Sequence, residues 1–212
     1  MPHVLLSQHL SLVVVFFGAN DAADPKGLWY APHTHTRAAH QHTHHSARQH
    51  VALEEYQANL DAIYEHVSRS SDCCVFVTPP PVDDVARLQY VQSEYDPSAT
   101  APERTHALAA AYAQACKAWA AQRNVACFDA HGFMTEKEDW RSFLWDGLHF
   151  SARGNKVFFE GLSAFLEQAW GKGLQEFGGL DAPWNAEIDG EGDWEGSISR
   201  WYSNGEEEGK TT

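Results

Sequence analysis

A chain of 212 residues, 43% of them apolar, suffices for one domain with a sizeable core and leaves too little for a second full one. Its formal charge of -14 excludes nucleic acid or an anionic membrane as the main partner, because either requires a basic surface. No apolar run is long enough to span a bilayer, and Met1 to Leu12 lacks the basic start, long apolar stretch and small-residue cleavage site of a secretory signal, so a cytoplasmic protein is the default expectation.

In chain order, Leu12-Val13-Val14-Val15-Phe16-Phe17 is a continuous β-branched and aromatic run, which suits a strand buried on both faces of a parallel sheet. It stops at Gly18-Ala19-Asn20-Asp21. Ligands of open α/β sheets gather at the carboxyl ends of strands, and the Asn20 amide there can donate to an oxyanion. The same four residue types also make an ordinary turn. Periodicity then disappears from Ala22 to Ala52, where a histidine-rich insertion at about 28–50 includes His33, His35, His40, His42, His44 and His45. This reads as a surface loop able to bind zinc, copper or nickel adventitiously, without the mixed ligands at fixed spacing of a structural metal site.

Leu53 to Val67 has helical periodicity, with Leu53, Tyr56, Leu60, Tyr64 and Val67 on one stripe. Cys74 to Thr78 is the next strand, stopped by Pro79-Pro80-Pro81. Val82 to Pro102 is expected to be loop with a short helix near Val85 to Tyr90, Arg104 to Arg123 an alanine-rich helix presenting Leu108, Tyr112, Ala115 and Trp119, and Val125 to Asp129 a third strand. The four cysteines, Cys73, Cys74, Cys116 and Cys127, lie in or beside apolar stretches without paired metal-type spacing, as buried free thiols do. Alternation of strand and helix calls for right-handed crossovers and a three-layer α/β domain over 1–170. Residues 171–212 change to Gly, Glu and Asp with isolated Trp184, Trp194 and Trp201, an acidic tail expected to be disordered.

Trp145-Asp146-Gly147-Leu148-His149-Phe150-Ser151 places a carboxylate three residues before an imidazole at the mouth of a helix. A carboxylate held against one ring nitrogen fixes the tautomer, so the other nitrogen can take a proton from a nucleophile. Gly147 lets the turn tighten, and Ser151 can cap a helix carrying Val157, Phe158, Leu162, Phe165, Leu166 and Trp170 inward. A polar loop with a solvated histidine would show the same short pattern.

With Gly18-Ala19-Asn20-Asp21 after a strand and Asp146-Gly147-Leu148-His149 before a helix, the chain resembles the SGNH (GDSL-type) hydrolases. It looks most like their isoamyl acetate-hydrolysing esterase branch. Leu53-Glu54-Glu55-Tyr56, Asn59-Leu60, Thr78-Pro79-Pro80, Tyr112-Ala113-Gln114-Ala115-Cys116 and Phe150-Ser151-Ala152-Arg153-Gly154-Asn155 extend the resemblance over about Leu12 to Leu166. It implies a flavodoxin-like α/β/α sandwich, His149 as general base, Asp146 as its orienting carboxylate, Asn20 as oxyanion-hole donor, a small ester substrate hydrolysed through an acyl-enzyme, and no metal or organic cofactor. Neither the family's Gly-Asp-Ser nucleophile segment nor the glycine after its second strand is present, and Ala52 stands where the branch commonly has proline. Three visible strands against a usual five or six add to the expectation of an N-terminally incomplete domain, with Leu12 to Phe17 on an edge and poor solubility or oligomers as the result. The competing expectation is a non-catalytic α/β binding or scaffold protein with a metal-binding histidine-rich loop.

Overall fold

The computed structural model describes residues 10–26, 28–29, 44–45 and 49–170. Strands β1 (Leu10–Phe16), β4 (Ser71–Val77) and β5 (Ala126–Phe128) form a parallel sheet in the order β1-β4-β5. Between the first two lie β2 (Leu28–Trp29) and β3 (His44–His45), which pair antiparallel, and helix α1 (Leu53–Val67). Helices α2 (Asp84–Glu94) and α3 (His106–Arg123) connect β4 to β5; α4 (Ala130–Thr135), a 3₁₀ turn (Trp140–Phe143) and α5 (Ala152–Trp170) follow. The described residues up to Ala169 belong to one compact unit. Most of the histidine-rich insertion and the whole of 171–212 lie outside the described residues, so the metal and tail expectations fall there. The described part of the insertion, Leu28–Trp29 and His44–His45, is a short antiparallel ladder where a surface loop is expected.

Sheet register sorts the side chains into two faces. Val15, Phe76 and Cys127 are aligned, as are Phe16, Val77 and Phe128 one residue on. Alternation sends neighbouring side chains to opposite faces. The first row packs with Tyr56 and Leu60 of α1 and Tyr112, Cys116 and Trp119 of α3 in the main core. Phe76 and Trp119 sit 4.6 Å apart there, and burying each such side chain contributes roughly 1.5–3 kcal/mol. The second row meets α5: Phe158 stacks on Phe16 at 5.0 Å, and Phe165 lies 5.6 Å from Phe128. Helices therefore cover both faces of a parallel sheet, as the alternating pattern predicts.

Several boundaries and burials differ from expectation. Leu12 to Phe17 does not become a strand buried on both faces: it is assigned Leu10–Phe16, its ladder partner among the described residues is β4, and Val14 and Phe16 are 41% and 37% exposed. Burial on both faces requires an interior strand, a property of sheet order that an apolar run does not encode. The expected short helix grows to eleven residues because Asp83 caps it, accepting from the backbone N–H groups of Val85 and Ala86. Residue 129 leaves β5 to cap α4, its carboxylate accepting from Gly132 N. All four cysteines are free; Cys116 is buried and the other three are half-buried. Among the described residues no helix is long and apolar enough to cross a membrane.

Candidate active site

The loop from Trp145 to His149 is closed at its base by an antiparallel bridge between Leu144 and Phe150. Trp145 N donates to His149 O at 3.0 Å, and Ser151 N to Phe143 O at 2.8 Å. Beneath the loop Met134, Trp140, Phe143 and Leu144 form a second apolar cluster with Phe133, Phe150 and Val157 around it. Ser151 also caps α5 through Gly154 N at 3.1 Å, the role its position suggests. The loop is thus held by packing on one side and a helix start on the other.

Two more constraints fix the turn itself. Gly147 has φ +81°, a left-handed conformation that favours glycine, and a Cβ there would lie 2.6 Å from Asp83 O. Its own carbonyl accepts from Asp83 N at 2.9 Å, which ties the loop to the start of α2.

Asp146 is the buried end of the pair, its side chain 0% exposed, whereas the His149 side chain is 63% exposed. Asp146 Oδ1 accepts from the backbone N–H of Leu148 at 2.9 Å and of His149 at 2.7 Å. Its Oδ2 lies 2.8 Å from His149 Nδ1. A carboxylate can only accept, so Nδ1 carries the proton and Nε2 is left with its lone pair toward solvent. Burial pushes the Asp146 carboxyl up, but the His149 backbone N–H, the imidazole and the Leu148 N–H outweigh it and hold the group below its ordinary value. Among the described residues no hydroxyl or thiol is hydrogen-bonded to His149. Trp145, 59% exposed, stacks beside the ring with centroids 6.1 Å apart.

Sequence reasoning missed the groups behind the carboxylate. Arg87 of α2 donates from Nη1 to Asp146 Oδ2 at 2.7 Å, and its Nε donates to Glu103 at 2.9 Å. Arg87 is 6% exposed and Glu103 3%, so a chain of buried charges runs from Glu103 through Arg87 to Asp146 and out to His149. An arginine on a helix of mixed polarity and an acid in a loop carry no local mark of this.

Asn20 stands on the exposed turn leaving β1, where Gly18 has φ +111°. Its Oδ1 accepts from Arg104 Nη2 at 3.4 Å, and Arg104 Nε donates to Ala19 O at 3.2 Å. Burial pushes the neighbouring Asp21 carboxyl up, partly offset by Arg104 and His50. Asn20 and Asp146 are linked through successive contacts by Arg104, its neighbour Glu103 and Arg87. Among the described residues no group of three or more His, Cys, Asp or Glu side chains is arranged to hold a metal ion.

These features define a three-layer α/β protein with an Asp-His pair on a loop tied to the helix that follows β4. A model of the GDSL-like lipase/acylhydrolase family matches residues 2–162. Two GDSL esterase/lipases of Arabidopsis thaliana are 37% and 35% identical to this chain over 180 residues each, covering 83% and 84% of it and 66% of each relative. The human isoamyl acetate-hydrolyzing esterase 1 homolog is 27% identical over 159 residues, covering 74% of this chain and 55% of the relative. A solved lipase/acylhydrolase from Enterococcus faecalis, 23% identical, overlays with a TM-score of 0.49 over 74% of this chain and 60% of its own. The chain belongs to the GDSL-like lipase/acylhydrolase family. It spans roughly half to two thirds of the length of these curated relatives.

Proposed function

We propose that this chain carries the acid/base and oxyanion-binding half of a carboxylic ester hydrolase acting on small, acetate-like esters. The observation that carries the reading is the 2.8 Å contact between buried Asp146 Oδ2 and His149 Nδ1, which leaves Nε2 of an exposed imidazole as a base. Nε2 takes the proton from the attacking hydroxyl and returns it to the departing alkoxide, while Asp146 stabilises the imidazolium formed between those steps. Asn20 Nδ2 donates to the oxyanion of the tetrahedral intermediate; a donor of this kind is worth on the order of 10²–10³ in rate.

The nucleophile of this chemistry is a serine. The 212 residues contain no Gly-Asp-Ser, and on this reading the serine comes from sequence joined to this chain. Residues 1–170 are the esterase domain and 171–212 an appended acidic tail. Membership of a family whose relatives are named esterases and lipases supports the reaction class; the likeness to isoamyl acetate-hydrolyzing esterase homologs supports the small ester.

The test is hydrolysis of p-nitrophenyl acetate by the 212-residue chain, by an upstream-extended form containing Gly-Asp-Ser, and by both with His149→Ala. The expected result is activity in the extended form that is lost with His149→Ala and blocked by a serine-reactive phosphonate, and little above background in the short chain. An extended form whose hydrolysis survives His149→Ala would sink the proposal.

A further inference from the structure

One dipeptide touches both halves of the site. Glu103 and Arg104 are each 3% exposed, and their backbone is fastened to the segment that follows Asn20: Asp24 N donates to Glu103 O at 3.0 Å, and Ala23 pairs with Arg104 in an isolated antiparallel bridge. Arg104 reaches Ala19 O and Asn20 Oδ1 and donates to Gln49 Oε1 at 2.6 Å. Glu103 instead engages Arg87, accepting from Nε at 2.9 and 3.3 Å and from Nη2. Only Nη1 of that guanidinium goes to Asp146.

The chemistry of each contact gives it a consequence. A guanidinium can only donate, so the Asn20 atom facing Arg104 is Oδ1 and the donating Nδ2 is turned away from it. On the other side, an arginine with its whole fork free closes on a carboxylate through two parallel bonds. Such closure would compete with His149 for Oδ2 and with the Leu148 and His149 amides for Oδ1. Glu103 prevents it by occupying Nε and Nη2.

We propose that Glu103-Arg104 is a two-handed positioning clamp: Arg104 sets the amide orientation of Asn20, and Glu103, by restraining Arg87, keeps Asp146 aligned on His149. The use made of Asn20 and His149 rests on the esterase reading, but the clamp is testable without turnover. In the 212-residue chain at a pH where imidazole is neutral, the ¹⁵N shifts of His149 report which nitrogen carries the proton, assigned by their loss in His149→Gln. The Asn20 side-chain amide pair, assigned by its loss in Asn20→Asp, reports the other hand.

Glu103→Gln is expected to turn a dominant Nδ1–H tautomer of His149 into a mixture while the Asn20 pair stays in place. Arg104→Lys is expected to move the Asn20 pair to the shifts of a free amide and leave the His149 tautomer alone. A folded Glu103→Gln protein with an unchanged tautomer, however much its melting temperature falls, makes Glu103 merely structural and overturns the clamp; so does an unmoved Asn20 pair in Arg104→Lys. Should Glu103→Gln not fold, Glu103→Asp keeps the charge but withdraws it by one methylene, and an unchanged tautomer there has the same force. Intact NMR outcomes beside an extended form that hydrolyses no ester would refute the esterase reading and leave the clamp standing.

Discussion

Arg87 Nη1 and Asp146 Oδ2 pair at 2.7 Å with side chains 8% and 0% exposed, 59 positions apart in the chain. Removing one member of a buried ion pair leaves the other charge uncompensated and costs about 3–5 kcal/mol. Arg87→Met strands both Asp146 and Glu103, so it is expected to lower the urea midpoint by a stability loss of that size. Adding Glu103→Gln to Arg87→Met removes one of the two stranded carboxylates and is expected to recover part of the loss. A double variant less stable than Arg87→Met by the full cost of a second lesion would contradict this account.

Asp146 also sets an acid limit. Its carboxyl is held below the ordinary value in the folded protein, chiefly by the amide and ring of His149 acting against burial. The stability this confers is fully present above the unfolded value of about 3.9 and is lost as pH falls through the lower folded value. Unfolding free energies measured from pH 2 to 6 should therefore fall more steeply at the acid end for the native chain than for Asp146→Asn. The variant starts from a lower plateau, because Arg87 loses one of its two charged partners and keeps only Glu103.

What the sequence revealed follows contact range. Asp146 and His149 are three residues apart in one turn, and the hydrogen bonds joining them close within that turn, so the spacing marks them as a candidate pair although a solvated loop would show the same pattern. The strands and the main-core stripes of α1 and α3 were legible for the same reason, since periodicity is a local property. Arg87 reaches Asp146 across 59 positions and Arg104 reaches Asn20 across 84, and a charged residue destined for burial looks like any other in sequence. The exposure of Val14 was hidden differently: it depends on which strand lies beside β1, and the apolar run is identical whether a strand is central or at an edge.

Gly147 and Gly161 make a contrasting pair. A Cβ at Gly147 would meet the backbone of Asp83 and Arg87, and the residue sits at positive φ; at Gly161 the nearest atoms a Cβ would meet belong to the Phe133 side chain and not to backbone. Left-handed backbone in a non-glycine residue costs on the order of 1–3 kcal/mol before any clash is counted. Gly147→Ala is expected to lower the melting temperature more than Gly161→Ala and to scatter the His149 tautomer. Equal melting temperatures would show that the loop relaxes freely.

Trp145 contributes to the site more than to the fold. It is 59% exposed, stacked beside His149 and edge-on to Tyr90 at 5.2 Å. Exposed positions of this kind usually change stability by within about 0.5 kcal/mol. Trp145→Ala should leave the urea midpoint nearly unchanged, shift the His149 ring protons by removing the indole ring current, and raise KM more than it lowers kcat in an active extended form. A large stability loss with unshifted ring protons would place Trp145 in the fold instead.

Strand β1, whose ladder partner among the described residues is β4, presents Val14 at 41% exposure and is followed by Phe17 at 61%, while Phe16, two residues on from Val14, is stacked on α5. Apolar edges template pairing with other chains, and a lysine on such an edge is a device that blocks it. The 212-residue chain is therefore expected to sediment as oligomers at tens of micromolar, and Val14→Lys, which puts a charge where solvent already reaches, to shift it toward monomer with little change in melting temperature. Phe16→Lys should instead lower the melting temperature, because it removes the ring stacked on Phe158. A native chain that sediments as a single monomeric species would mean that the edge is covered within its own fold.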